Sequence, residues 1–292
     1  KEYKLKGKVV VLAASACSSA RILLNSKSKQ HPNGLGNTSD LIGKYLHDST
    51  GGDMMAFIPE LIDRKIYNED GVGGMHVYSP WWLDNKKLDF ARGYHIEVWG
   101  GLGAPSYGTG FNINSFNKFF GLKKAGGYGD ILRSDMKKYY GSTIGLSGRG
   151  ESIAQKTNYC EIDPKKVDKY GVPVLRFNYK WTDNEIKQAK HMQDTFEEII
   201  HNMGGIPLWN KPGKESNYGI NDPGWIIHEV GTTRMGKDSK NSVVNQFEQL
   251  HDVSNIFVVD AGPFVSQADK NPTWTIMALA WRSSDYIIDQ FK

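Results

Sequence analysis

The chain of 292 residues is 39% hydrophobic and 23% charged, so it can bury a real core as one large domain or two smaller ones, and disorder is excluded. A formal net charge of +4, scattered along the chain, argues against a dedicated nucleic-acid or membrane-surface binder. No run of about 18 apolar residues is present, so no membrane span is expected. Two further features need a cause: 32 glycines, and an aromatic content of 12% that includes eight Trp. Glycines imply tight turns or close backbone approaches, and aromatics imply large flat surfaces in a core or around a ring-shaped ligand.

Residues 8–14 (KVVVLAA) are a β-branched apolar run, the signature of a strand buried on both faces. The run passes through Ala14 and Ser15 into Ser18-Ser19-Ala20-Arg21-Ile22-Leu23-Leu24, which reads as a helix opened by small residues. Such strand–helix units place backbone beside a ligand at the carboxyl edge of a sheet. Between 51 and 101 the short runs 54–58, 75–78 and 94–99 are separated by turn residues and predict an antiparallel sheet. Residues 102–130 are glycine-rich and aromatic without a period, and are expected to form a long loop or lid. Further strands are expected over 148–159 and 174–181, with turns at Asp163-Pro164 and Gly171-Val172-Pro173. Asp183 opens a helix whose Ile186, Ala189, Met192, Phe196, Ile199, Ile200 and Met203 keep helical spacing up to Gly204-Gly205.

The last third is the most informative. Trp225-Ile226-Ile227-His228 delivers a histidine into Gly231-Thr232-Thr233-Arg234-Met235-Gly236. The run 255–260 reads as a buried strand ending in Asp260, followed by Ala261. Asn271-Pro272-Thr273 opens an amphipathic helix through Trp274, Met277, Ala280, Trp281 and Ile288, with Asn271 expected as its N-cap. A helix N-terminus carries partial positive charge and unpaired N–H groups, which favour an anion or an electron-rich ring edge. Cys17 and Cys160 stand in unlike contexts and offer neither a disulfide framework nor a CxxC site, and no metal is expected.

The ordered string of His228 with Gly231-Thr232 and Arg234-Met235-Gly236, then 242–245 (SVVN), 255–260 (NIFVVD), Asn271-Pro272-Thr273 and Ala278-Leu279-Ala280 resembles the C-terminal signature of the glucose–methanol–choline (GMC) oxidoreductases. Upstream, the segments 12–24 and 39–48 (SDLIGKYLHD) resemble parts of the same family. The resemblance is nearest to the sugar-oxidising branch. It implies a mixed α+β and α/β fold, with the C-terminal part of a Rossmann-like FAD-binding domain and an antiparallel-sheet substrate domain with helices. The expected division is 1–51 for part of the FAD domain, 52–224 for the substrate domain and 225–292 for the closing, catalytic segment. The family's GxGxxG nucleotide motif is absent, since Gly101-Leu102-Gly103-Ala104-Pro105-Ser106 fails at its third Gly. The expectation is therefore one portion of such an enzyme, joined to a missing N-terminal half or to a partner chain.

What the resemblance implies chemically is an FAD-dependent oxidation of a CH–OH group on a sugar, glycoside or related alcohol. His228 would be the base and Asn271 its partner on the substrate oxygen; Asn cannot take a proton, so that role falls to His228. Pro272 and Thr273 would face the pyrimidine end of the flavin. Asp260 and Ala261 would lie beside its ribityl or pyrophosphate portion, and Ala13, Ala14 and Ser15 would line the adenosine side. An electron-acceptor protein is a further implied partner, and periplasm and cytoplasm both stay open. The alternative readings are a non-catalytic carbohydrate-binding module and one subunit of a split flavoenzyme.

Overall fold

The computed structural model describes residues 3–62, 77–80, 87–100 and 129–291. The regular elements are, in chain order, β1 (Val10–Leu12), α1 (Ala16–Asn25), β2 (Thr50–Phe57), β3 (Val77–Pro80), β4 (Tyr94–Gly100), α2 (Asp130–Tyr139), β5 (Thr143–Gly150), β6 (Tyr159–Val167), β7 (Pro173–Asn178), α3 (Asp183–Asn202), β8 (Ile206–Pro207), β9 (Ile256–Val258) and α4 (Thr273–Gln290). Two compact units share the chain: 1–49, 151–182 and 222–292 form the first, and 50–150 with 183–221 form the second. Residues 151–182 lie inside the span 52–224 read from sequence as one domain, and they belong to the first unit.

In the first unit β1 and β9 pair in parallel, Val10 opposite Ile256 and Leu12 opposite Val258. Their inner residues Leu12, Ile256 and Val258 join Ala20, Leu23 and Leu24 of α1 in an apolar cluster. The expected burial of β1 on both faces is corrected: Val10 and Val11 are 42% and 51% exposed. The reason is topological, since β9 is the only sheet neighbour of β1 among the described residues. The strand expected over 148–159 is likewise corrected, because the chain leaves β5 at Gly150 and β6 begins at Tyr159. Nor does Asp163-Pro164 end a strand. It lies within β6, where the register against β7 shifts between Ile162 and Val167, and Asp163 accepts the Lys165 and Lys166 N–H groups at 2.8 and 3.0 Å. A proline in an edge strand is tolerated at such an irregularity because no ladder N–H is lost.

The second unit is built on an antiparallel sheet of five strands in the order β3-β4-β5-β2-β8; the residue pattern between 51 and 101 predicted the antiparallel sheet, while β5 and β8 lie outside that span. Alternation at a period of two sends Met54, Ala56, Tyr94, Ile96, Ile144 and Leu146 to one face, where they pack against Met192, Phe196 and Ile200 of α3. Gly148 lets that helix approach, since a Cβ there would meet the Met192 side chain. The opposite face carries Asp53, Ser147 and Glu97 in one row across β2, β5 and β4. Most of the glycine-rich segment 102–130 lies outside the described residues. At its end Asp130 opens α2, a helix the aperiodic sequence did not announce, with Asp130 in its first turn and Lys137 and Lys138 in its last. Trp81 and Trp82, and the aromatics of 107–128, are also outside the described residues. Among the described residues no helix is long and apolar enough to cross a membrane.

Candidate active site

The first unit assembles most of the residues singled out above. Asp260, two residues past β9, is buried and accepts the Ser19 hydroxyl at 2.5 Å and the Gly262 N–H at 2.8 Å. Ser19 in turn accepts the Ala14 N–H at 3.2 Å. Ala14 and Asp260, 246 positions apart in the sequence, are thus joined through one helix hydroxyl. Burial pushes the Asp260 carboxyl above its ordinary range, against the hydrogen bonds that hold it down. Ala13, Ala14 and Ser15 are exposed. Ser15 adopts a left-handed φ of 80° at the start of α1 and makes no side-chain capping bond.

Ala261 is buried beside Ala16, Val230 and Phe264, and its carbonyl accepts the Gly231 N–H at 3.1 Å. The neighbouring Thr232 hydroxyl donates to the Ala16 carbonyl at 2.6 Å, which anchors the 231–234 segment to the first residue of α1. At α4 the expected cap is corrected. Pro272 occupies the capping position and its carbonyl accepts the Ile276 N–H at 3.0 Å, while Asn271 is exposed. Its ring already holds φ at −77°, so proline can take the capping place without a side-chain bond. Thr273 is exposed at the first helical position.

His228 is half-buried, and its surroundings were not foreseen. Its Nδ1 lies 3.2 Å from the Ser49 hydroxyl, which also receives the Gln267 amide at 2.8 Å. Ser49 and Gln267 are buried, at 0% and 1% exposure. The backbone of His228 is held as well: Asp48 accepts the N–H groups of His228 and Ser49 on Oδ1, at 3.0 and 2.8 Å, and that of Gly224 on Oδ2 at 3.0 Å. Burial raises the Asp48 carboxyl to about 6, with those three N–H bonds opposing the shift and Glu229 adding to it. Beside the imidazole, Ile227 sits at φ 60° and is 78% exposed. A β-branched residue pays for that conformation, and such strain clusters at functional sites.

His228 and Asn271 share this unit, and the hydrogen bonds linking their segments run through Ser49 and Gln267. No sequence pattern marks Ser49 or Gln267, which lie 218 positions apart. A cavity of about 230 Å³ has Asp48, Tyr179, Gly224 and Glu229 in its wall and does not include His228. His47 is fully buried; desolvation lowers its pKa to about 4 although Nδ1 lies 2.7 Å from the Tyr45 carbonyl. Cys17 and Cys160 are free thiols; the neighbouring Cys160 thiol and burial push the Cys17 thiol far up. Among the described residues no group of three His, Cys, Asp or Glu side chains could hold a metal ion.

Residues 155–280 match the family described as GMC oxidoreductase. The chain is 29% identical over 293 residues to the 2-methyl-1,2-propanediol dehydrogenase of Mycolicibacterium austroafricanum, covering 99% of this chain and 49% of that protein. It is 29% identical over 170 residues to the gluconate 2-dehydrogenase flavoprotein of Pantoea cypripedii, covering 56% of this chain and 27% of that protein. A solved formate oxidase from Aspergillus oryzae superposes with a TM-score of 0.64 at 12% identity, covering 97% of this chain and 54% of that one, and so shares the fold. The chain spans about half the length of the diol dehydrogenase and of the formate oxidase. Both the ordered motifs and these matches fall on one family: residues 155–280 match the GMC oxidoreductases, and the chain as a whole is similar to about half of the diol dehydrogenase.

Proposed function

We propose that this chain is the C-terminal, substrate-oxidising portion of an FAD-dependent oxidoreductase acting on a CH–OH group of a sugar or related alcohol, with His228 as the base. The observation that carries the reading is the held imidazole. Its ring is bonded to a buried hydroxyl and its backbone to a buried carboxyl, beside a strained residue. A base fixed in this way meets the substrate hydroxyl without reorganising, which favours proton transfer. Asn271, exposed at the foot of α4, would hold the same oxygen through its amide.

The residues fit the flavin at two places. The N-termini of α1 and α4 both lack a capping side chain and carry no acidic residue in the first turn, which suits them to phosphate or an electron-rich ring. Ala13, Ala14 and Ser15 would accompany the first, with Asp260 and Ala261 nearby in the same unit. Pro272 and Thr273 would accompany the second. FAD, when bound, supplies the two-electron acceptor for the carbon-bound hydride. The chain's own part is to take the hydroxyl proton on His228 and to hold the oxygen through Asn271. The substrate domain would be built on the second unit, whose Asp53–Ser147–Glu97 row offers polar groups to a polyol.

A further segment, either the N-terminal half or a partner chain, would complete the nucleotide site. Supporting this, Val10 and Val11 of β1 are half-exposed, and Trp274, Met277 and Trp281 of α4 are 87%, 65% and 75% exposed. Apolar surface of that size marks an interface. The test is flavin reduction by sugars and diols in the full-length protein. His228→Ala should slow reduction by about 10²–10⁴ while flavin content is unchanged. Reduction at the wild-type rate would remove His228 from the role, and protein without flavin absorbance would favour a carbohydrate-binding module.

A further inference from the structure

We propose that the cavity walled by Asp48, Tyr179, Gly224 and Glu229 is a binding site for a compact organic cation, an alkyl- or arylmethylammonium. The two carboxylates would hold its charge, and the rings of Phe177 and Tyr179 its carbon body. The assignment is independent of the base reading, since His228 is not part of the wall.

The cavity lies within the first unit and has a volume of about 230 Å³. At roughly 30 Å³ for each water, that is space for a molecule of about eight non-hydrogen atoms. Leu46 and Asp48, at 3% and 1% exposure, form its buried end, and the exposed Phe177 and Pro223 its open one. Two acidic residues thus line one space, and no lysine, arginine or histidine stands among the described lining residues. The two repel when ionised, and Glu229 adds to the upward shift that burial imposes on Asp48. The half-buried Glu229 side chain has neither a hydrogen bond nor an ion pair among the described residues. Like charges beside rings and aliphatic groups are stabilised by a positive ligand between them.

The lone pairs left open select the kind of cation. Asp48 Oδ1 already accepts the N–H groups of His228 and Ser49, and Oδ2 accepts that of Gly224. A carboxylate has about four acceptor positions, so roughly one remains, on Oδ2. Glu229 adds its own two oxygens. An ammonium group presents three donors, which suits one charge-assisted bond to Asp48 and the others to Glu229. A bare metal ion needs more open oxygens than this wall supplies. Among the described residues no group of three His, Cys, Asp or Glu side chains could hold one. The carbon body of the ligand meets Leu46, Pro223 and the two rings. Asp48 also holds the backbone of Gly224 and His228, so an occupant that keeps it ionised tightens the segment between them.

The test uses the full-length protein just above pH 7, where Asp48 is ionised. The probes are benzylamine, protonated at that pH, and benzyl alcohol, an uncharged molecule of the same shape. In titration calorimetry benzylamine should bind saturably, and about tenfold or more tightly than the alcohol. It should also slow amide hydrogen exchange at Gly224 and His228. Glu229→Gln keeps the shape of the wall and relieves the repulsion on Asp48, so thermal stability should not fall. It should weaken benzylamine about tenfold and leave the alcohol unchanged. Phe177→Ala should weaken benzylamine about two- to fivefold through the lost ring. Equal affinity for the amine and the alcohol would reduce the cavity to an apolar recess and overturn the proposal. Benzylamine binding unchanged in Glu229→Gln would place the amine elsewhere and overturn it as well, as would no binding of either compound. None of these measurements reads flavin reduction, so they stand or fall apart from the role of His228.

Discussion

Asp48 and His228 are joined through backbone: one carboxylate oxygen of Asp48 accepts the His228 N–H at 3.0 Å while the other accepts that of Gly224. A single buried side chain therefore sets the path of the 224–228 segment that presents the imidazole. The same arrangement makes the site sensitive to pH. The Asp48 carboxyl is held near 6 in the folded chain against 3.8 for an exposed one. The folded state thus keeps this proton more tightly, and the stability it contributes is present below pH 4 and lost as pH rises through 6.

Asp48→Asn should flatten that part of the stability profile. Between pH 4 and pH 7 the unfolding free energy of the wild type, relative to the variant, should fall by on the order of 2 kcal/mol. Urea unfolding at several pH values reads this directly, and parallel profiles would mean that Asp48 is ionised throughout.

His47 acts in the opposite sense. Burial lowers it from 6.5 to about 4, so its neutral form stabilises the fold above pH 6.5 and that contribution is lost as pH falls toward 4. Ring proton resonances of His47 should stay in the neutral position down to about pH 5. Titration near pH 6.5 would contradict the burial that the structure gives it.

Two glycines with left-handed backbone should respond differently to alanine. At Gly231, with φ 94°, a Cβ would meet the Tyr45 carbonyl and the His47 ring. At Gly204, with φ 63°, it would meet nothing within 4 Å. Gly231→Ala should destabilise by about 3 kcal/mol or more, and Gly204→Ala by only about 1 kcal/mol, the cost of the backbone conformation alone. Equal losses in thermal unfolding would show that the Gly231 neighbours yield.

Trp281 tests the uncovered face of α4. At 75% exposure its replacement by Ser should change the stability of the chain alone by less than about 0.5 kcal/mol. In the full-length protein the same change should cost about 2 kcal/mol or more if another segment packs there. The two unfolding curves, compared side by side, decide whether the face is covered.

Local chemistry made much of this readable along the chain. Short apolar runs between turn residues announced the antiparallel sheet, and helical spacing with Gly204-Gly205 announced α3, because each pattern is imposed by backbone geometry over a few residues. The family was readable for a different reason: His228, Asp260 and Asn271-Pro272-Thr273 recur in a fixed order, and order survives without coordinates. Burial was another matter. The run 8–14 has the composition of a central strand, yet Val10 and Val11 are half-exposed, because burial depends on neighbours that no local pattern contains. The cap of α4 moved from Asn271 to Pro272, a difference decided by two backbone angles. Above all, Ser49 and Gln267 carry no local signal. Only folding brings Ser49 against the His228 imidazole, 179 positions away, and Gln267 against Ser49, 218 positions away.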